Sequence, residues 1–170
     1  MNLKIFKTHP DVTLPKFGTD QAACFDLAAQ FHGKVTYTGY NQQNAEITRS
    51  FEMYNNTIVV IPGERIMVPT GLIFDIPEGY SIRVHPRSGL SFKQGLVLAN
   101  LEGVIDSDYY HETMVLIYNM SDTKATINNG DRIAQAELVK SEKYKIVETK
   151  TQPTQKTNRK GGMGSTGVSK

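Results

Sequence analysis

The segment Pro86-Arg87-Ser88-Gly89-Leu90 leaves a strand-like run and enters a short helix-like one, and its residue types suit phosphate oxygens. Free backbone N–H groups at a helix start, a glycine that permits close approach, a hydroxyl and a guanidinium all favour an anion. The same five residues also fit a plain turn with a capping serine and a solvated arginine. Asp106 closes the apolar stretch Gly103-Val104-Ile105, where partial burial would position its carboxylate as a general base. Spacing alone equally suits an aspartate that caps a turn. Asp106, Asp108, His111 and Glu112 match neither a helical histidine pair nor the long acidic loop that binds calcium. Gly130-Asp131-Arg132-Ile133-Ala134-Gln135 reads by itself as a turn with an exposed ion pair, running into a strand. In Arg159-Lys160-Gly161-Gly162-Met163-Gly164-Ser165-Thr166-Gly167, glycines and hydroxyls follow two cations. Such a run wraps a polyphosphate through its backbone N–H groups or is simply a flexible end.

The elements that must position these residues are β-strands. Short runs rich in Val and Ile recur at Ile58–Ile61, Arg65–Val68, Leu72–Ile76, Ser81–His85, Leu96–Ala99, Thr113–Tyr118, Lys124–Ile127 and Ile133–Val139. Pro62-Gly63, Pro77-Glu78-Gly79 and Asn128-Asn129-Gly130 punctuate them as turns. Many short strands at this spacing predict a sandwich, barrel or jelly roll. One short helix is expected over Ser88–Gln94, with Ser88 as its capping residue. Residues 32–57 are polar, carry scattered aromatics and show no sustained period, so they read as a long excursion from the sheet, folded as a hairpin.

Composition narrows the function classes. The chain has 170 residues and a net charge of +2, which excludes a strongly basic nucleic-acid binder and an acidic solvating tail. No apolar run reaches the length of a membrane span, and no secretory signal is legible. Cys24 is the single cysteine, which excludes an internal disulfide and fits a reducing, cytoplasmic compartment. Residues 140–170 hold eight basic and two acidic side chains. The body is therefore expected to span residues 1–149, and residues 150–170 to form a basic, Gly/Ser/Thr-rich arm, mobile until an anionic partner orders it.

Taken together and in order, Ala23-Cys24-Phe25-Asp26-Leu27, PRSGLSFKQGL, NLEGVIDSDYYHE, GDRIAQAEL and the closing GGMGSTG resemble the five motifs of the trimeric dUTP pyrophosphatase (dUTPase) family. The resemblance covers residues 19–167, and the third and fourth motifs match without a gap. It implies an all-β, distorted jelly-roll barrel that assembles as a homotrimer, each site built from several subunits. The implied reaction is hydrolysis of dUTP to dUMP and pyrophosphate, assisted by magnesium, which lowers dUTP and supplies dUMP for thymidylate synthesis.

By the same resemblance, Asp106 is the catalytic aspartate that activates water for attack on the α-phosphorus. Arg87, Ser88, Gly89 and Gln135 would contact the phosphate chain. The Tyr109 ring would pack under the deoxyribose and exclude a 2′-hydroxyl. A β-hairpin beginning near Asn100 and including Gly103 and Ile105 would read uracil. Rejecting a base that leaves buried polar groups unpaired is worth about 10⁴-fold. Asp26 would act on metal indirectly, through water or the site's framework. The arm, with Arg159, Met163, Gly164, Ser165 and Thr166, would close over bound nucleotide.

The chain departs from the family pattern at several positions. Met163 stands where a phenylalanine is usual, and Asn158 where the arm's arginine is usual, so Arg159 or Lys160 would supply that charge. Cys24 and His111 replace glycines, which implies an ordinary backbone angle or strain. Two other readings remain. A dCTP deaminase of the same fold would use Glu102 or Glu112 near the base. A nucleotide-gated interaction module would hold an additional protein partner through residues 32–57.

Overall fold

The computed structural model describes residues 1–51, 57–159, 161 and 162. Among them the strands are β1 (Lys4–Lys7), β2 (Phe25–Ala28), β3 (Val35–Tyr40), β4 (Glu46–Phe51), β5 (Thr57–Val60), β6 (Arg65–Pro69), β7 (Leu72–Asp75), β8 (Tyr80–His85), β9 (Leu96–Leu98), β10 (Gly103–Ile105), β11 (Met114–Asn119), β12 (Ala125–Asn128) and β13 (Arg132–Lys140). A single helix, α1 (Ser88–Gln94), interrupts them. A four-stranded sheet runs β10-β8-β13-β2, a five-stranded sheet runs β4-β3-β6-β11-β9, and two-stranded ladders join β1 to β7 and β12 to β5. All the recorded ladders are antiparallel. This is the layered, all-β architecture expected of a jelly roll.

Alternation explains why these segments pair as they do. In β6 (RIMVP) Ile66 and Val68 are buried, and in β11 (MVLIYN) Val115 and Ile117 are, while the residues between them face outward. Register locks the two patterns together, with Ile117 opposite Ile66 and Val115 opposite Val68. Leu27, Ile58, Ile66, Ile82, Leu98, Ile117, Ile127 and Ile133 are almost wholly buried and belong to one core. Fully burying each such side chain contributes about 1.5–3 kcal/mol before chain entropy is counted.

Every strand anticipated from the Val- and Ile-rich runs is present within a residue or two at its ends. The short strands β1, β2 and β10 were not among those runs. The helix has the expected bounds, but its N-cap is Arg87, in extended conformation and with no side-chain capping bond. Ser88 is the first helical residue, not the cap. The chain stops the helix at Gly95, whose φ of 64° is left-handed and whose N–H returns to the Ser91 carbonyl at 3.1 Å.

Residues 32–57 correct the expectation of an excursion away from the sheet. They do contain a hairpin, β3 with β4, but β3 also pairs with β6, at Gly39↔Ile66 and Tyr40↔Arg65. The hairpin is therefore the outer edge of the five-stranded sheet. Val35 and Tyr37 are buried, and Gly39 follows them on the same face. That period of two is hard to read because its third member is a glycine. A Cβ on Gly39 would meet the Arg65 carbonyl oxygen at 2.2 Å, so only glycine allows this approach. Residues 52–56 lie outside the described set.

Candidate active site

Two clefts carry most of the residues singled out by their chemistry. The first, of about 480 Å³, is lined by Asp26, Arg87, Ser88, Gly89, Arg132 and Gln135, with Cys24 and Lys93 beside them. Asp26 is central to it. Its Oδ1 accepts from Arg87 Nε at 2.9 Å and its Oδ2 from Arg132 Nη1 at 3.0 Å. Arg87 Nη1 also donates to the Arg132 carbonyl oxygen at 3.1 Å. One carboxylate thus spaces and orients two guanidiniums whose remaining N–H groups are free to face an anion. Gln135 lies opposite Asp26 across β13 and β2, and its Nε2 donates to the Pro86 carbonyl at 2.9 Å.

A β-bulge makes this convergence possible. Arg132 and Gln135 are three residues apart, and in a regular strand an odd spacing sends side chains to opposite faces. The register of β13 against β2 shifts between Arg132 and Ala134. The extra residue buries Ile133 and Ala134 in succession and lets Arg132 and Gln135 line the same cleft. The alternative reading of Asp131 with Arg132 as an ion pair is corrected here. Asp131 instead accepts from the backbone N–H of Asn128 at 2.7 Å, closing the turn before β13. Arg132 was legible as part of a motif, but its place in the cleft depends on the bulge, which has no signature in the sequence.

Cys24 sits in the wall of this cleft. Burial, then the charges of Glu137 and Asp26, push its thiol above the ordinary range, so it is held in the neutral form. Neither Cys24 nor His111 has a positive φ; among the described residues only Asn44 and Leu101 do so without being glycine. The two departures from glycine therefore sit on ordinary backbone.

The second cleft, also about 480 Å³, gathers Asn100, Gly103, Ile105, Asp106, Tyr109 and His111 over a floor that includes Val84, Met114 and Leu116. Asp106 is exposed rather than partly buried in the single chain, which corrects the expectation drawn from its apolar flank. Its carbonyl accepts from the Tyr109 N–H at 3.2 Å, fixing a turn that sets the tyrosine beside it. The Tyr109 hydroxyl donates to the Glu112 carbonyl at 3.1 Å, while the Glu112 carboxylate accepts from the Gly71 N–H at 2.7 Å. Glu112 thereby anchors the loop from behind. The His111 ring lies edge-on to Tyr109, with centroids 5.7 Å apart.

The expected hairpin near Asn100 is also corrected. β10 pairs with β8 and β9 with β11, so the turn at Asn100–Glu102 crosses from one sheet to the other. Leu101 takes a left-handed φ of 63° there, and Glu102 N–H returns to the Asn100 carbonyl at 2.7 Å. The Glu102 carboxylate lies 3.6 Å from Arg83 and 3.8 Å from His85, tying the turn to β8. Such an ion pair is easy to overlook because its members are nearly twenty residues apart in sequence.

The two clefts share no lining residue, so the single chain does not bring Asp106 to Arg87 and Gln135. Arg159 is exposed, lines neither cleft, and donates through Nε to the Gly161 carbonyl at 2.9 Å. Lys160, Met163, Gly164, Ser165 and Thr166 lie outside the described residues.

The sequence model of the dUTPase family matches residues 51–167, which include both clefts' principal residues except Asp26. A deoxyuridine 5′-triphosphate nucleotidohydrolase of Hydrogenobaculum sp. is 34% identical over 169 residues, covering 99% of each chain. Among solved structures, a variant dUTPase of Staphylococcus bacteriophage 80alpha with dUpNHpp superimposes with a TM-score of 0.75 at 20% identity, covering 98% of this chain and 99% of that one. A variant dUTPase from phage phi11 of S. aureus, described for its coordination of a structural Mg(II) ion, gives a TM-score of 0.67 at 20% identity, covering 89% and 98%.

Proposed function

The chain belongs to the dUTPase family, and from that premise we propose that it hydrolyses dUTP to dUMP and pyrophosphate at sites shared between copies of the chain. The observation that carries the reading is the division of labour between the two clefts. One presents guanidiniums and an amide suited to phosphates, the other a carboxylate and an aromatic ring suited to a nucleoside. Neither is sufficient for the reaction, and their separation on one chain supports a homotrimer in which subunits pool them.

In this reading Asp106 takes a proton from water as that water attacks the α-phosphorus in line. Its exposure in the single chain is then an open flank that a neighbouring subunit and the substrate cover. Arg87 and Arg132, spaced by Asp26, hold the phosphate chain with Ser88, Gly89 and Gln135 and take up its developing charge. Tyr109, clamped at its amide and its hydroxyl, keeps its ring in place under the deoxyribose. Asn100, Gly103 and Ile105 read the base from the turn that Glu102 ties to β8. The arm, with Arg159, Met163, Gly164, Ser165 and Thr166, closes over the nucleotide and excludes water.

The donor set fits magnesium in one way only. Among the described residues Asp26 is the sole carboxylate lining the phosphate-facing cleft, and both its oxygens already accept from arginines. This cleft by itself would not hold an ion through protein ligands, but it suits one that keeps its waters and takes oxygens from the substrate. Asp26 and the Gln135 amide oxygen would accept from those waters. Bound there, magnesium would neutralise charge on the phosphates.

Among the described residues no helix is long and apolar enough to cross a membrane. A reducing intracellular setting is consistent with the single neutral thiol. The deciding experiment is a panel of dUTP, UTP, dTTP and dCTP with pyrophosphate detection, with and without magnesium. Pyrophosphate from dUTP alone is expected. Its absence from dUTP would overturn the reading, and ammonia released from dCTP would replace it with the deaminase.

A further inference from the structure

His9 lies in the turn that follows β1, and His32 four residues beyond the end of β2. Their rings are stacked with centroids 4.3 Å apart and planes within 18°. Asp11 joins them, with Oδ2 3.6 Å from His9 Nδ1. One ligand atom from each of the three lies within 4.8 Å of the other two. None of the three lines either cleft described above. His32 Nε2 is buried and has no hydrogen-bond partner, an arrangement that costs free energy unless something else satisfies it.

We propose that His9, Asp11 and His32 form a binding site for a late first-row divalent cation such as zinc, separate from the nucleotide site. Two imidazoles with one carboxylate suit zinc, nickel or copper, whereas magnesium favours oxygen donors alone. Zinc–nitrogen distances near 2.0–2.1 Å place neighbouring ligand atoms about 3.3 Å apart in a tetrahedron. The donors must therefore draw together, and two parallel rings must tilt to aim at one point. His9 is exposed and free to turn. The movement gives up the ring stack and, if Nδ1 is used, the bond from the Asp11 N–H at 3.2 Å. Three protein ligands leave a fourth position for water. A bound ion would pin the turn after β1 to the segment leaving β2, cross-linking two segments more than twenty residues apart.

The test uses zinc alone with the full-length chain, followed by calorimetric titration and by the visible spectrum of the cobalt form. One equivalent per chain is expected, with a rise in thermal midpoint on adding zinc. His9→Asn, at an exposed position, should fold normally and weaken zinc binding by at least about 10-fold, the loss typical of even indirect metal-site changes. His32→Gln should do the same, and Asp11→Asn should alter the cobalt spectrum. His85→Gln should bind zinc as the parent does. Binding that survives both histidine substitutions would overturn the proposal, and so would failure of zinc, nickel and cobalt to bind the parent chain. No readout depends on nucleotide hydrolysis, so the outcome is independent of the proposed activity.

Discussion

Asp26 Oδ1 accepts from Arg87 Nε at 2.9 Å, joining strand β2 to the N-cap of α1 and the first chemical motif to the second. The Asp26 side chain is 21% exposed and its Oδ2 is also taken, by Arg132. The aspartate therefore serves as a spacer for two cations, and its charge lowers the repulsion between them. Asp26→Asn keeps the shape but loses an acceptor for one guanidinium and the negative charge. The expected result is a fall of about 10–100-fold in kcat/KM for dUTP, since small misplacements of charge-bearing groups cost on that scale. Steady-state kinetics with dUTP checks it, and unchanged kcat/KM would remove Asp26 from the positioning of Arg87.

Arg49 and Glu64 lock the edge hairpin to the body. Arg49 Nη1 donates to Glu64 Oε2 at 2.8 Å and Nη2 to Oε1 at 2.5 Å, and Glu64 also accepts from the Ile61 N–H. Glu64 is 1% exposed on its side chain whereas Arg49 is 37% exposed. The two truncations should therefore differ. Arg49→Ala strands a buried carboxylate and should cost about 3 kcal/mol or more, whereas Glu64→Ala leaves an arginine that can turn to water and should cost less. The double variant Arg49→Met with Glu64→Leu should lie close to the parent. Urea unfolding of the four proteins measures all three expectations.

Most of the framework was legible because apolar alternation and turn chemistry dominate it. Ile58, Ile66, Ile82 and Ile117 announce strands, and Gly63, Gly79 and Gly130 mark turns with φ of 76°, 80° and 86°. The edge hairpin was seen as a hairpin, but its place in the sheet was not, because Gly39 contributes by its missing side chain. Of the sites, each motif was legible as a local string of residue types. What the string does not contain is register. The bulge beside Ala134 turns Arg132 toward Asp26, and the sheet crossing at Leu101 separates β9 from β10. Both depend on backbone geometry settled by packing, not by local composition.

Asp106→Asn separates base catalysis from binding. The side chain is exposed in the single chain, so the isosteric change should leave stability within about 0.5 kcal/mol of the parent. A positioned general base contributes roughly 10²–10⁴-fold, and kcat should fall by that factor while nucleotide affinity stays near the parent's. Single-turnover hydrolysis together with equilibrium titration of a non-hydrolysable dUTP analogue checks both parts. Equal losses in affinity and rate would assign Asp106 to substrate binding instead.

Cys24 offers a pH-dependent probe of the phosphate-facing cleft. Burial, Glu137 and Asp26 all oppose its thiolate, so its folded-state pKa stands above that of a free cysteine. At any pH below that raised value the reactive fraction is smaller than in the unfolded chain, and it grows as pH rises. Alkylation by iodoacetamide at pH 8 should therefore be slower in the folded protein than in urea, with the folded-state rate still climbing at pH values where the unfolded rate has levelled. Glu137→Gln removes one of the opposing charges and should move the profile toward lower pH. Because Cys24 shares its cleft with Arg87 and Gln135, pyrophosphate bound there should slow the reaction further at constant pH. Measured by mass spectrometry of the alkylated chain, a folded-state profile lying at or below the pH of the unfolded one would contradict the electrostatics, and indifference to pyrophosphate would place the anion elsewhere.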